Sequence, residues 1–379
     1  MNNTLFPTQE IGSIAKPNWH VKKLRGKPLS EQDINDAKHW AKTLNIHGTE
    51  ELISLLKKKT LSPKEKQKVK DWSQIYAIKL FEESGLDIIY GGEQWRSEMY
   101  QHAVDYIKGL KFYGEVRSWD NKYYLKAAVV KEPKLLKPYH LDEFNFIKEN
   151  TKKPLKVPIT GAYTIAEWSF NEYYTKKLGK KIKNNHKLSF EARKELAVDI
   201  GKNILRPTIK KLIEEGANFI QIDEPAATTH PDETQILVDS FNESVKGLNA
   251  KFSIHICFSD YSVLFPKILE MPKNSQYALE FANKDNPSHD IYREILGLLK
   301  QYNDPREVGL GVLDVHRDSI EAPELVKERI VFAADFLGDS KRISVSPDCG
   351  LRTRSWDVVH KKLVNMVKGT EMARKHFEH

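Results

Sequence analysis

The sequence predicts an α/β fold in which a parallel sheet closes into a single (β/α)8 TIM barrel. Short apolar runs that end in polar, charged or glycine residues recur along the chain. Amphipathic stretches of helical period, such as residues 190–216, 323–338 and 356–377, lie between most of these runs. The predicted strands number eight and cover residues 8–13, 86–93, 155–162, 218–225, 251–258, 277–283, 308–316 and 342–350.

Two segments interrupt the alternation of strands and helices. Residues 114–133 read as two strands around Asp120-Asn121-Lys122, which predicts a β-hairpin inserted beside the barrel. The residues that follow the first strand, including LSEQDINDAKHWAKTLN at 29–45, predict a helical extension. No repeat or low-complexity linker divides the chain, so we expect one domain over residues 1–379.

Composition excludes several classes of function. The net charge of +8 is a mild bias, and its lysines cluster at residues 55–71 and 175–188. These clusters are typical of solvated faces, with steering of an acidic partner or anionic substrate as the alternative. There is no nucleic-acid-binding motif, no signal-peptide pattern and no run of about eighteen apolar residues. Two cysteines cannot form a disulfide framework, so we expect a cytoplasmic protein. Because the motifs above are missing, we expect it to bind neither nucleic acid nor membrane.

The polar residues of the predicted strands stand at their carboxyl ends. In a barrel these ends converge on one face, where active sites are found. The sequence therefore predicts one pocket, shared by Ser13, Glu93, Asp223, Glu224, His255, Cys257, Glu280, His316, Asp348 and Cys349.

His255 and Cys257 are two residues apart on one strand, so both side chains can face the same point. Taken alone, the pair is more typical of a small buried cysteine beside a hydrogen-bonded histidine. Glu280 on the next strand and Cys349 on the last would complete a four-donor zinc site. A carboxylate binds zinc less strongly than a thiolate does, so Glu280 could yield its position to a substrate sulfur.

Zinc bound to a substrate thiol deprotonates it at neutral pH, which suits an S-alkylation. Glu93 and Asp223 could hold an α-ammonium group, or they could form ion pairs that close barrel loops. Backbone N–H groups at Ile11, Gly12 and Ser13 could receive a carboxylate. An acceptor with thiol, ammonium and carboxylate groups is an amino thiol acid, and homocysteine is the natural candidate.

Two further residues could have a functional role at the same face of the barrel. His316 is a candidate general acid or metal ligand, because histidine titrates near neutral pH, but it could also anchor a loop. Trp168 could stack against a methyl donor, and it could equally be a packing residue.

Seven motifs resemble, in order and spacing, the C-terminal barrel of cobalamin-independent methionine synthase. They extend over nearly the whole chain, and the combination of His-x-Cys with Pro-Asp-Cys-Gly is specific. The motifs are EIGS (10–13), GGEQWRSEM (91–99), TGAYTIAEWSF (160–170), IQIDEPA (220–226), HICFSDYS (255–262), LDVHRDS (313–319) and SPDCGLRTRSW (346–356).

This resemblance implies a zinc-dependent S-methyltransferase that makes methionine, and it implies a role for each candidate residue. It implies zinc ligation by His255, Cys257, Glu280 and Cys349, homocysteine binding by Ile11, Gly12, Ser13, Glu93 and Asp223, proton donation by His316, and donor binding by Trp168.

The chain also departs from the family pattern where the methyl donor would bind. Full-length members carry a second, N-terminal barrel that we do not find here. The family's Arg-Cys pair falls at about Lys122-Tyr123, and its folate-contacting glutamate falls near Thr229. In this the chain is similar to the short, single-barrel "core" methionine synthases of archaea and some bacteria, which implies a methylated corrinoid as donor, presented by a corrinoid protein.

Four alternatives remain open at this point. The donor could be a methyl-folate or a methyl-tetrahydromethanopterin bound without the second barrel. The acceptor could be another thiol, such as coenzyme M, although Glu93 and Asp223 have no obvious purpose for a sulfonate thiol. The protein could also bind zinc or methionine without catalysis.

Overall fold

The computed structural model describes residues 4–117, 123–257 and 259–378. Its strands, in chain order, are β1 (Ile107–Arg117), β2 (Tyr123–Leu135), β3 (Val157–Thr160), β4 (Phe219–Asp223), β5 (Lys251–Ile256), β6 (Ser275–Leu279), β7 (Glu307–Leu313) and β8 (Ile343–Pro347). Its α-helices are α1 (Asn18–Leu24), α2 (Glu31–Thr43), α3 (Glu50–Lys57), α4 (Pro63–Glu83), α5 (Met99–Val104), α6 (Leu141–Asn150), α7 (Ala162–Glu167), α8 (Glu172–Leu178), α9 (Asn185–Ile200), α10 (Arg206–Glu214), α11 (Thr234–Val245), α12 (Asp290–Gln301), α13 (Pro323–Leu337) and α14 (Trp356–Phe377).

Strands β3 to β8 form one sheet in chain order, and every neighbouring pair is parallel. Two short segments connect β8 back to β3. Thr8 bridges to Val345, Gln9 to Ile88, and Ile89 to Leu155, all in parallel. Eight parallel segments therefore follow one another round the sheet, as predicted. The segments at 8–13 and 86–93 contribute isolated bridges rather than full strands.

The alternation of side chains along β4 shows how the sheet separates core from site. Ile220 and Ile222 are fully buried in the hydrophobic core. Gln221 and Asp223 lie on the opposite side, where Gln221 Nε2 donates to Asp223 Oδ1 over 2.7 Å. Residues two apart on a strand share a face, so the apolar set packs outward and the polar set faces the barrel interior.

The helical layer agrees with the predicted periodicity. The extension after the first strand consists of α1 to α4, and the capping box of Ser62 and Glu65 fixes the start of α4. The predicted helix at 190–216 is divided by a π-helical turn at Gly201–Leu205. Pro207 explains the division, because its ring and missing N–H disturb the α-helical hydrogen bonds of the preceding turn. None of the described helices combines the length and apolar character needed to cross a bilayer.

The inserted hairpin is longer than the predicted range of 114–133, since β1 and β2 pair from Ile107 to Leu135. Its predicted turn at 120–122 lies outside the described residues. Two contacts fix the hairpin to the carboxyl end of the sheet. The Phe170 N–H donates to the Ala127 carbonyl over 2.9 Å, and Arg352 Nη2 donates to the Tyr124 hydroxyl over 3.1 Å.

Two buried carboxylates, Glu224 and Asp348, hold loops at the same end of the sheet. Glu224 accepts the backbone N–H groups of Tyr163 and Thr164 at the start of α7. Asp348 accepts three backbone N–H groups, those of residues 281, 282 and 283, over 2.7–2.9 Å. The expectation that both residues belong to the shared pocket stays a prediction. They are fully buried, and burial without these donors would be costly.

Each of these carboxylates packs against a glycine on a neighbouring segment. A Cβ on Gly161 would overlap the carboxyl group of Glu224, and a Cβ on Gly311 would overlap Asp348 Oδ1. The absence of a side chain at both positions is therefore a packing requirement.

We expect Gly161→Ala to lower the free energy of unfolding by about 1–3 kcal/mol, because the added methyl must displace a buried carboxylate. Urea denaturation followed by circular dichroism measures the change. Gly297→Ala is a matched control, since nothing lies within 4 Å of a Cβ at this position of α12. It should be neutral or stabilise by up to about 1 kcal/mol through helix propensity. Equal midpoints for Gly161→Ala and the unmodified chain would contradict the close packing.

Candidate metal and amino-acid site

Three of the predicted metal ligands meet at the carboxyl end of the sheet. His255 lies at the end of β5, Cys257 follows that strand, and Cys349 follows β8. His255 Nε2 is 3.4 Å from Cys349 Sγ and 3.6 Å from Cys257 Sγ, and the two sulfurs are 3.6 Å apart. Among the described residues these three form a group that could hold a metal ion.

The spacing of this donor group matches a tetrahedral ion. With Zn–S and Zn–N distances of about 2.3 and 2.1 Å, the tetrahedron has edges of about 3.8 Å between sulfurs and about 3.6 Å between sulfur and nitrogen. The three observed separations are within a few tenths of an ångström of those values. Two sulfurs and one imidazole nitrogen are also the donor types that zinc prefers in proteins.

The residues around His255, Cys257 and Cys349 favour the binding of a cation. His255 Nδ1 lies 3.0 Å from the carbonyl oxygen of Ala278, which favours a proton on Nδ1 and leaves Nε2 free to coordinate. The hydrogen bond to Cys257 and burial together raise the pKa of Cys349 well above its usual value. Metal binding at this group would therefore release protons.

Glu280 stands apart from the three-donor group. It is buried after β6, and its Oε2 accepts a hydrogen bond from Asn283 Nδ2 over 2.7 Å. The same oxygen is 3.7 Å from His316 Nε2. Glu280 as fourth ligand therefore stays a prediction.

The predicted amino-acid pocket lies next to this group. Gln221 Nε2 donates both to Asp223 Oδ1 and, over 2.6 Å, to the carbonyl oxygen of Ile11. A Cβ on Gly12 would be 3.5 Å from Glu93 Oε1. The segment Ile11–Ser13, Glu93 and Asp223 are thus close together, and desolvation raises the pKa of Asp223 to about 7.

Arg96 holds Glu93 in place, and the sequence reasoning did not identify it. Its Nη1 donates to Glu93 Oε1 over 3.1 Å, and its Nε donates to Glu143 Oε2 over 2.9 Å. Glu93 has a positive φ of 58°, which is uncommon for a residue with a side chain. The available signal was the Glu-x-x-Arg spacing in GGEQWRSEM, although the second acid, Glu143, lies 47 residues away from Arg96.

The loop that carries His316 is fixed by a buried lysine. Lys362 Nζ on α14 donates to the carbonyl oxygen of Asp314 over 2.9 Å and to Glu321 Oε2 over 2.7 Å. The His316 N–H in turn donates to Asp314 Oδ1 over 2.8 Å. His316 itself is exposed, with 58% of its side chain accessible.

Lys362 was also missed, although the sequence contains a signal for it. It falls among Val359, Leu363 and Met366, which are all fully buried. A lysine on the apolar face of an amphipathic helix is rare unless it is paired.

Trp168 lies at the base of the hairpin. It follows α7, is half-buried, and its ring contacts that of Tyr100 at a centroid distance of 6.0 Å. Two residues later, Phe170 pairs with β2. Three residues align with the family's folate contacts. Thr229 is exposed, and Tyr123 is the first residue of β2. Lys122 lies outside the described residues.

Comparisons with known proteins agree with the resemblance. The model of the cobalamin-independent synthase catalytic domain matches residues 47–372. The methionine synthase of Thermococcus kodakarensis is 39% identical and covers 99% of this chain and 95% of its own length. That of Thermoplasma acidophilum is 37% identical, covering 96% of this chain and 97% of its own length.

A solved structure shows the same fold. A B12-independent methionine synthase from Shewanella sp. W3-18-1, in complex with selenomethionine, superposes with a TM-score of 0.75 at 22% identity and covers 99% of both chains. The match to the family model and the identity to the curated relatives together show that the chain belongs to the family of the cobalamin-independent methionine synthase catalytic domain.

Proposed function

We propose that this chain forms methionine by methyl transfer to the thiol of homocysteine, with zinc held by His255, Cys257 and Cys349. One observation carries the proposal: a group of soft metal donors and two carboxylates, those of Glu93 and Asp223, lie at the same end of the sheet. A thiol amino acid has the functional groups that both parts of this site accept. The relatives named methionine synthase support the same reaction.

Zinc bound to the three donors would supply the Lewis acidity that keeps a substrate thiol ionised at neutral pH. We propose Glu280 as the fourth ligand, on the strength of its burial next to the strands that carry the other three. Its carboxylate also neighbours His316, so it can influence the proton on that imidazole.

The chain's own residues orient the acceptor. Glu93 and Asp223 bind its ammonium group, and the backbone N–H groups of Ile11, Gly12 and Ser13 receive its carboxylate. Arg96 keeps the Glu93 carboxylate at a fixed position during binding, which reduces the ordering that the ligand must impose.

His316 is proposed to give a proton to the leaving group. Its exposed imidazole can exchange protons with solvent, while the hydrogen bond to Asp314 holds its backbone in place. A leaving pterin nitrogen needs this proton more than a leaving corrinoid does.

For the donor we propose a methylated corrinoid, presented by a corrinoid protein, with a methyl-folate or methyl-tetrahydromethanopterin as alternative. Thr229 carries no carboxylate where the family has its folate-contacting glutamate. Trp168 and the hairpin offer an aromatic surface beside the site, and Tyr113, Tyr123 and Phe170 are exposed there.

We expect Cys349→Ser to lose most of its bound zinc while the barrel still folds, because one thiolate of the donor group is removed. Elemental analysis gives the zinc content, and circular dichroism reports the fold. Ser346→Ala on β8, the strand that precedes Cys349, is a control that leaves the three metal donors unchanged. Retention of a full equivalent of zinc by Cys349→Ser would remove Cys349 from the ligand set.

Zinc-loaded protein should form methionine from homocysteine when methylcobalamin is supplied, and more slowly or not at all with a methyl-pterin. Chromatographic detection of methionine, with both donors offered in parallel, tests this expectation. Cys349→Ser is the control, because turnover that requires the metal site should be lost in this variant. Efficient use of the pterin alone would overturn the corrinoid donor, and no turnover with either donor would count against methyl transfer.

Lys362→Met should slow turnover by releasing the loop that carries His316, measured with the donor that supports catalysis. The effect should be non-additive, so that Lys362→Met causes little further loss in a His316→Ala background. Lys368→Met makes the same change at an exposed position of α14 and should have no effect. Equal losses from Lys362→Met in both backgrounds would show that the lysine does not act through His316.

A further inference from the structure

Glu10 is a buried carboxylate for which the site described so far has no use. It precedes Ile11 directly, and only 3% of its surface is exposed. Both of its carboxyl oxygens are buried and neither makes a hydrogen bond. Within the described ranges it is the one carboxylate with both oxygens in this condition.

Three other buried carboxylates accept several hydrogen bonds from the protein itself. Glu224 and Asp348 each accept three hydrogen bonds, and Glu321 accepts from Lys362 and from the backbone of Asp314. A buried polar group without a partner is costly and requires an explanation, such as a bound water, an ion or a ligand. Glu10 therefore has acceptor capacity that the folded chain leaves unused.

Glu10 lies beside the predicted amino-acid pocket, where it lines one small cavity with Ile11, Gly12, Ser13 and Cys349. The charged groups near enough to act on it are Lys156, Glu93, Asp223 and Arg96. Burial raises the pKa of Glu10 to about 8, although Lys156 acts in the opposite direction. The Glu10 carboxyl group thus lies near the two proposed ammonium ligands. Neither of its oxygens forms a hydrogen bond with a cationic side chain.

Lys156 does not complete a contact with Glu10. Its Nζ is fully buried and has no hydrogen-bond partner, and burial lowers its pKa to about 8. The two groups attract each other without forming a hydrogen bond, so both oxygens of Glu10 keep unused acceptor capacity.

We infer that Glu10 is a third carboxylate of the ammonium-binding site, shared with Glu93 and Asp223, and that it selects acceptors carrying an α-ammonium group. The inference rests on the proposed function, because it assigns a further binding residue to the same acceptor. A thiol without the amino group would leave the Glu10 carboxyl group desolvated and without a hydrogen-bond partner. Sites built to bond a polar group reject analogues that lack it.

The test is a comparison of two ligands on two proteins. Isothermal titration of zinc-loaded protein measures the affinity for homocysteine and for 4-sulfanylbutanoate, which has the same chain without the amino group. Glu10→Gln should weaken homocysteine binding by about 10- to 100-fold, the loss expected for one charged hydrogen bond. The affinity for 4-sulfanylbutanoate should change by no more than about twofold.

Glu233→Gln is the matched control, since Glu233 is a buried carboxylate that accepts from Tyr163 and Arg193. It should leave both affinities unchanged. If Glu10→Gln fails to fold, the double variant Glu10→Gln/Lys156→Met removes both buried charges and should show the same selective loss.

The outcomes separate this inference from the proposed function. Equal weakening of both ligands, or none of either, would overturn the inference and leave Glu10 as the water-bridged counter-ion of Lys156. If the unmodified protein binds homocysteine no better than 4-sulfanylbutanoate, the ammonium site itself is wrong. If it binds neither ligand, the proposed acceptor fails, whatever the behaviour of Glu10→Gln.

Discussion

The parallel direction of the eight paired segments is the constraint on which the rest of the structure depends. Parallel pairing places every strand's carboxyl end at one end of the sheet. Cys257 and Cys349, which are 92 residues apart, can therefore lie with their sulfurs 3.6 Å apart. No local sequence feature could bring them together. The hydrogen-bond register of β5 with β6, β6 with β7 and β7 with β8 determines where they meet.

The same end of the sheet contains two kinds of carboxylate, and hydrogen bonding distinguishes them. Glu224 and Asp348 accept backbone N–H groups and so belong to the architecture. Asp223 and Glu93 each accept from one side chain, Gln221 or Arg96, and retain oxygens that can receive a ligand. The number of hydrogen-bond donors around each carboxylate thus distinguishes structural carboxylates from those that can bind a ligand.

Much of this arrangement could be predicted from the sequence, because each strand ends in a recognisable change from apolar to polar residues. That change identified the strand order and the His255, Cys257 and Cys349 group. It could not distinguish Asp348 from its neighbour Cys349, since both follow the same strand. The distinction comes from backbone N–H groups in a loop more than sixty residues away. Sequence periodicity contains no information about such partners.

The predicted bounds of the hairpin and of the first two strands also differ from those in the structure. The hairpin was predicted from its turn outward, and the pairing between β1 and β2 continues to Ile107 and Leu135. The first two predicted strands are reduced to isolated bridges. Tertiary context, here the loops that carry Ile11–Ser13 and Glu93, overrides local propensity.

The close packing of Glu224 against Gly161 and of Asp348 against Gly311 has a consequence for how this chain can diverge. At either pair, a larger residue in place of the glycine requires that the carboxylate move. At position 224, the shorter aspartate would lose the N–H groups of Tyr163 and Thr164. The two positions are coupled, so a change at one becomes acceptable only in the background of a change at the other. Each glycine therefore limits what can stand at the position of its carboxylate, and the reverse also holds.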